Sequence, residues 1–130
     1  MRWDEVRAGA IGHAIRFTVD LTDRSHIWPA RHDAGTCSAN YPPMGARFRL
    51  KASFSLAGFS PAARVILKAM KQYGLILADN GSNWYFQGTE DGHWRNALLD
   101  QLKSVPASAF EAVDTSSCML DPNSGQAACP

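Results

Sequence analysis

The chain has 130 residues and a formal net charge of +1, and 45% of its residues are hydrophobic. This composition excludes a disordered chain, and the sequence contains no long uncharged apolar run that would predict a membrane span. Because the charges nearly balance, there is no extended field to hold a nucleic acid, so we expect neither a nucleic-acid nor a membrane partner.

The first predicted strand follows a short helical turn, which Asp4 would cap and Gly9 would end. Over residues 11–19 the odd positions are apolar except for His13, while the even positions are small or polar. Alternation with a period of two is typical of a half-buried strand. This interpretation places His13 on the apolar face, where a single histidine is usually a hydrogen-bonded core residue rather than a ligand.

Residues 26–45 have little periodicity and are predicted to form a long loop. Within the loop, residues 28–33 bring aromatic and ionisable side chains close together in sequence. Because long loops inside compact domains are often functional, we treat this segment as a candidate site.

The clearest alternation predicts a strand over residues 47–56, with apolar residues at the even positions. The opposite face carries three cations, Arg47, Arg49 and Lys51, which need water, carboxylates or an anionic ligand. Such a face attracts an acidic polysaccharide or a phosphate, although a solvated strand face is the commoner explanation.

The first main helix is predicted over residues 61–73. Ser60 is placed to cap it, and Pro61 suits the first helical position. Apolar residues then recur at helical spacing, and Gly74 supplies a left-handed stop.

A hairpin is predicted after this helix. Residues 75–78 form a short apolar strand, and residues 79–82 read Asp-Asn-Gly-Ser, a run typical of a tight turn because Asn-Gly tolerates positive φ angles. The return strand is predicted at residues 83–87.

The second main helix is predicted over residues 92–103, where Trp94, Leu98 and Leu102 are spaced by four. A final short strand is predicted near residues 110–113. Because strands and helices do not alternate regularly, the sequence predicts an α+β fold with a largely antiparallel sheet and two main helices.

We predict a single domain over residues 1–120, followed by a flexible, turn-rich tail over residues 121–130. The three cysteines, Cys37, Cys118 and Cys129, have no zinc-knuckle or redox-motif spacing. A bond between Cys118 and Cys129 would close a loop across the tail and leave Cys37 over. Three free thiols fit the same sequence in a reducing compartment, so the count leaves both alternatives open.

The four histidines, His13, His26, His32 and His93, raise the hypothesis of a metal site. Their spacings match no tight ligand motif, and we expect no bound metal or other cofactor. A metal-dependent oxidative enzyme built on His13, His26 and His32 is kept as an alternative. The sequence also has no phosphate-binding glycine loop and no nucleophilic serine or cysteine motif.

The loop segment supplies the first candidate site. Trp28 offers a flat face on which a sugar ring or a base can stack, and Arg31 can hold a hydroxyl or a carboxylate. His32 and Asp33 are adjacent, and we expect them to share a proton. For each residue taken singly, a structural role is the commoner explanation: Trp28 at the edge of the core, and Arg31 paired with Asp33 on the surface.

The predicted hairpin supplies the second candidate site. Asp79 ends an apolar strand, a rigid place for a carboxylate that burial would keep protonated. Trp84 and Tyr85 begin the next strand. One of these two side chains is therefore expected on the same face of the sheet as a ligand bound by Asp79. The simpler interpretation is a turn in which Asp79 accepts hydrogen bonds from nearby backbone amides.

Four stretches together resemble the C-terminal half of a group of largely uncharacterised, mostly secreted bacterial proteins. They are GAIGHAIRF at 9–17, WPARH at 28–32, PPMGARFRLK at 42–51 and YGLILADNGSNWY at 73–85, and the resemblance covers most of residues 3–115. It implies an extracellular, polysaccharide-related role and a further β-rich N-terminal region, so that this chain would be a truncated half or a stand-alone variant. It supplies no catalytic residues.

We therefore expect a secreted carbohydrate-active domain that hydrolyses a glycosidic bond in a polysaccharide or oligosaccharide. This chemistry usually requires a protonated acid and a second carboxylate. Asp79 is predicted as one carboxylate and Asp33 or Glu90 as the other, with His13 and His32 tuning them. The predicted sugar-binding residues are Trp28, Arg31, Trp84, Tyr85 and Asn80.

Three alternatives to hydrolysis remain. One is a non-catalytic carbohydrate-binding module that uses the same aromatic residues, and another is the histidine-based metal enzyme. The last is a scaffold whose active site lies in a missing N-terminal region. A large exposed apolar face would mark the lost partner, and an oligomer is the other possible partner arrangement.

Overall fold

The computed structural model describes residues 1–36 and 38–129. Cys37, the cysteine left over by the predicted pairing, lies outside the described residues. The helices are α1 (Trp3–Ala8), α2 (Pro61–Gln72) and α3 (Asn96–Lys103). The strands are β1 (Ile15–Val19), β2 (Arg47–Leu50), β3 (Leu75–Asn80), β4 (Tyr85–Phe86), β5 (Phe110–Val113), β6 (Met119–Asp121) and β7 (Gln126–Ala127).

Five strands form a mostly antiparallel sheet in the order β4-β1-β3-β2-β5, while β6 and β7 form a separate antiparallel pair. Together with the helices, this sheet confirms the predicted α+β class. Among the described residues, no helix has the length and apolar character needed to cross a bilayer.

The chain divides into two compact units, each built from three segments. The first comprises Met1–Ile15, Phe48–Leu75 and Gln87–Glu111 and is called the helical unit because it contains α1, α2 and α3. The second comprises Arg16–Arg47, Ile76–Phe86 and Ala112–Pro130 and is called the loop-rich unit.

Helix α2 forms as its flanking residues predict. The Ser60 hydroxyl oxygen accepts the backbone N–H of Ala63 at 3.3 Å, and Ile66 and Met70 on the apolar face are fully buried. Gly74 follows with φ of 77°, and a Cβ there would overlap the carbonyl oxygen of Phe48. Both the positive φ and this close approach require glycine.

Helix α3 is shorter than predicted and begins at Asn96 rather than at residue 92. The Asp91 carboxylate accepts the backbone N–H of His93 at 2.9 Å, and this turn delays the start of the helix. Leu98 and Leu102 form its buried face, as their spacing predicts.

The strand predicted over residues 47–56 is wrong beyond Leu50, where β2 ends. The Lys71 ammonium donates hydrogen bonds to the carbonyl oxygens of Ala52 and Phe54, at 2.8 and 2.6 Å. These carbonyls are therefore satisfied by a side chain from α2 rather than by a neighbouring strand. A distant lysine cannot be recognised from local alternation.

The long loop of the loop-rich unit is held by backbone hydrogen bonds. Ile27 donates to the carbonyl of Met44 at 2.9 Å, and Met44 donates to that of Ser25 at 3.2 Å. Gly45 has φ of 87°, and a Cβ there would overlap the carbonyl oxygen of Ile27. These bonds order a segment that has no periodic pattern.

Residues near the C-terminus form a hairpin where their composition predicts a loose tail. Strands β6 and β7 pair in antiparallel register, and a disulfide joins Cys118 to Cys129. The backbone N–H of Ala128 also donates to the carbonyl of Cys118 at 2.8 Å. Of the two alternatives that the sequence leaves open, the structure has the Cys118–Cys129 disulfide rather than free thiols at these positions.

Candidate functional site

A cleft of about 430 Å³ opens on the loop-rich unit. Its floor is apolar and includes the fully buried side chains of Met44 and Leu77, whereas Arg16, Arg31 and His32 are exposed at its rim. The described lining residues include no Asp or Glu and are Arg16, Pro29, Ala30, Arg31, His32, Met44, Ile76, Leu77 and Ala78. We call this site the basic cleft.

Tyr85 lies on the face of the sheet that carries Arg16. Phe17 and Val19 of β1 are buried, so Arg16 and Thr18 point to the opposite face. Tyr85 on the edge strand β4 pairs directly with Thr18, and paired residues share a face. Its side chain is 62% exposed, so an aromatic ring is available on this face.

Arg31 is held by the β6–β7 hairpin. One guanidinium nitrogen, Nη2, donates to the carbonyl oxygen of Asn123 at 3.1 Å. The guanidinium has five N–H donors, and this hydrogen bond uses one of them. Arg31, one of the predicted binding residues, therefore lines the cleft and contacts a turn 92 residues away in sequence.

Asp33 pairs with His26 and not with His32, which corrects the expectation from their adjacency. His26 Nδ1 is 2.5 Å from Asp33 Oδ1, and Nε2 is 3.2 Å from the carbonyl oxygen of Pro122. The hydrogen bond with Asp33, followed by that with Pro122, raises the pKa of His26. Because both neighbours accept hydrogen bonds, both nitrogens can donate only in the imidazolium form.

Trp28 and Trp84, the two tryptophans predicted to bind sugar, both pack against other side chains of the protein. The guanidinium of Arg47 lies 5.9 Å from the centroid of the half-buried Trp28 ring, a cation–π arrangement. Trp84 stacks on Phe17, with ring centroids 5.0 Å apart and planes 17° from parallel. Of the three predicted aromatic platforms, Tyr85 is the most exposed.

Asp79 and Asn80 have structural partners at the end of β3. Asp79 is exposed, and its Oδ1 accepts the backbone N–H of Asn80 at 2.9 Å, as in the simpler turn interpretation. The Asn80 side-chain amide donates to the hydroxyl oxygen of the buried Thr22 at 2.9 Å. The predicted burial of the Asp79 carboxylate is therefore wrong.

His13 and Glu90 belong to the helical unit, whereas the other predicted site residues belong to the loop-rich unit. His13 is exposed and precedes β1, so its placement on a buried strand face is wrong. Its Nε2 is 2.9 Å from Glu5 Oε1, and its Nδ1 is 2.8 Å from the carbonyl oxygen of Ala14. Glu90 is exposed in the segment between β4 and α3.

The helical unit has a cleft of its own, of about 530 Å³, which we call the Trp3 cleft. His93 lies in its lining and stacks on Trp3, with centroids 5.5 Å apart, while its Nδ1 is 2.6 Å from Asp91 Oδ1. The described lining residues are Trp3, Val6, Arg7, Gly9, Pro61, Ala62, Val65 and His93.

The described residues form no group of three or more His, Cys, Asp or Glu side chains that could hold a metal ion. Both ring nitrogens of His13 and of His26 already have hydrogen-bond partners. The metal hypothesis built on these histidines therefore has no ligand set among these residues.

Comparison of the chain with protein-family models, with curated proteins and with solved structures found no match.

Proposed function

We propose that the chain is a non-catalytic carbohydrate-binding domain whose basic cleft binds an acidic oligosaccharide. The observation that carries the proposal is the apolar floor flanked by Arg16, Arg31 and His32, with no carboxylate among the described lining residues. Arginine binds carboxylates through charge-assisted, often bidentate hydrogen bonds. A ligand with a carboxylate on an otherwise neutral ring, such as a uronic acid residue, matches this combination.

Size and aromatic content support the same proposal. The cleft volume of about 430 Å³ is within the range of ligand sites, roughly 300–1,000 Å³. Tyr85, which shares the sheet face of Arg16, offers a ring on which the apolar face of a sugar can stack. Tyr85 lies on edge strand β4, next to the strand that carries Arg16.

Two observations favour binding over the hydrolysis expected from the sequence. A glycosidase needs a protonated acid, usually a carboxyl with a raised pKa. Asp79 is exposed and accepts a backbone hydrogen bond, and Asp33 pairs with His26. Hydrogen bonds donated by neighbouring groups lower the pKa values of other carboxyls, among them Asp4, Asp91 and Asp114.

The proposal is tested by titration calorimetry with two matched ligands. One is tetragalacturonate, and the other is the same tetramer with its carboxyl groups reduced to alcohols. We expect tighter binding of the acidic tetramer and a loss of about tenfold in the Arg31→Gln variant, since each charge-assisted hydrogen bond contributes roughly 1.5–3 kcal/mol. Arg95→Gln is the charge-matched control, because Arg95 is exposed at the start of α3.

Equal affinity for the two tetramers would contradict the role of the rim arginines. Release of reducing ends from either tetramer would restore hydrolysis as the function. The absence of any binding would remove the acidic saccharide as the ligand.

A further inference from the structure

The turn of the β6–β7 hairpin meets the side chain of Arg31 at two points. The Asn123 carbonyl accepts a hydrogen bond from Arg31 Nη2 at 3.1 Å. Two residues later, Gly125 faces the stem of the same side chain: a Cβ at this position would lie 2.7 Å from Arg31 Cδ and 2.8 Å from Nε. The space left by the glycine is therefore the space in which the arginine lies.

The turn is itself held in place. Its base is closed by the disulfide between Cys118 and Cys129, and its Pro122 carbonyl is 3.2 Å from Nε2 of His26. Within the turn, the Asp121 carboxylate accepts the backbone N–H of Asn123 at 2.8 Å. These contacts fix the backbone against which the Arg31 side chain rests.

We propose that the hairpin turn, through Gly125 and the Asn123 carbonyl, positions Arg31 at the basic cleft and so determines the preference of the cleft for an acidic ligand. Gly125 is a positioning residue that acts through Arg31. This inference rests on the proposed function for its ligand, but the placement of the arginine can be measured without any ligand.

A Gly125→Ala variant separates positioning from folding. The added methyl group would contact the flexible side chain of Arg31. We therefore expect the arginine side chain to be displaced while the backbone conformation of the turn is unchanged. Gly125 has φ of 71°, a conformation that costs alanine stability. Gly58→Ala is the matched control, because Gly58 has φ of 83° and its Cβ would meet nothing within 4 Å.

The first measurement is the affinity for tetragalacturonate. Gly125→Ala is expected to weaken binding about as much as Arg31→Gln does, roughly tenfold, and to have no further effect in the Arg31→Gln background, since the two changes act on one interaction. Gly58→Ala is expected to stay within about twofold of the original chain. Unchanged affinity in Gly125→Ala, or additive losses in the double variant, would overturn the inference while leaving the proposed function intact.

The second measurement needs no ligand. Phenylglyoxal modifies arginine, and mass spectrometry gives its rate at Arg31 relative to Arg95 in the same sample. The relative rate at Arg31 is expected to rise several-fold in Gly125→Ala and to stay constant in Gly58→Ala. If Gly125→Ala does not fold, Cys129→Ser opens the base of the hairpin instead and is expected to raise the rate similarly.

A constant rate at Arg31 in the folded variant would overturn the positioning role whatever the chain binds. A raised rate in a chain that fails to bind tetragalacturonate would overturn the proposed function and the ligand preference, and would confirm the placement of Arg31 alone.

Discussion

The two clefts of this protein resemble each other in size and composition but differ in how their basic side chains are used. The Trp3 cleft has a volume of about 530 Å³ and the basic cleft one of about 430 Å³, and each combines an apolar floor with arginine and histidine. In the Trp3 cleft, His93 forms a hydrogen bond with Asp91 and stacks on the Trp3 ring. In the basic cleft, two arginines and a histidine face one opening.

The comparison teaches that volume and apolar lining do not by themselves identify a binding site. Apolar surface supplies affinity for many ligands, whereas the charge and hydrogen-bonding groups at the rim select among them. The two clefts should therefore differ most when the ligand carries a charge.

The largest expected effect concerns the packing of the helical unit. Ile66→Ala removes a fully buried side chain from α2 and should lower the free energy of unfolding by roughly 2–5 kcal/mol. Lys68→Ala on the exposed side of the same helix should change it by less than about 0.5 kcal/mol. Urea unfolding of both variants checks this difference, and similar losses in the two would contradict the observed burial.

The next effect sharpens the contrast between the clefts directly. Arg16→Gln combined with Arg31→Gln should weaken tetragalacturonate binding by about 100-fold, because each removes a charged partner worth roughly a factor of ten. Arg7→Gln in the Trp3 cleft removes the same charge and should change affinity by less than about twofold. Calorimetry at low and at physiological salt should show affinity falling with salt in the original chain and in Arg7→Gln, and much less in the double variant. A large effect of Arg7→Gln would reverse the assignment of the clefts.

A smaller effect concerns the pH dependence of the loop-rich unit. Because the bond with Asp33 raises the pKa of His26 in the folded chain, the folded state binds this proton more tightly than the unfolded state. Its contribution to stability is complete below the ordinary histidine pKa of about 6.5 and is lost as the pH rises through the raised value. His26→Gln should therefore destabilise the chain more at low pH than at high pH.

Urea unfolding at several pH values between about 5 and 9 checks this, with His32→Gln as the control on the same loop. Titrating groups that do not contact His26 cancel when each variant is compared with the original chain at the same pH. A loss in His26→Gln that does not depend on pH would show that His26 contributes through packing alone.

The smallest effect is expected at Asp79, which the sequence predicts as one of the two catalytic carboxylates. Asp79→Asn keeps an acceptor oxygen for the backbone N–H of Asn80 and should change tetragalacturonate affinity by less than about twofold. No new reducing ends should be released from tetragalacturonate before or after the substitution. Turnover in the original chain that is lost in Asp79→Asn would return this carboxylate to a catalytic role.

The parts of the fold that could be predicted from the sequence are those determined by near neighbours. Ser60, Pro61 and Gly74 delimit α2 through contacts within a few residues, and the prediction is accordingly close. The end of β2 could not be predicted, because Lys71 supplies the hydrogen bonds that replace the strand.

The candidate site is harder to predict for the same reason. The chemistry of Arg31, His32 and Tyr85 predicts them as site residues, and the structure places all three on the loop-rich unit. Arg16 is not predicted, because its only signal is a cation within an alternating strand. The contact of Arg31 with Asn123 is not predictable either, because partners so distant in sequence leave no local pattern.

The most direct test of the central claim is a chemical-shift titration of isotope-labelled protein with tetragalacturonate, because it reports on both clefts in one experiment. If the basic cleft is the binding site, the backbone amide signals that move most will be those of Arg16, Arg31, His32, Ala78 and Tyr85. Movement concentrated at Trp3, Arg7 and His93, or no movement at a saturating concentration, would contradict the account.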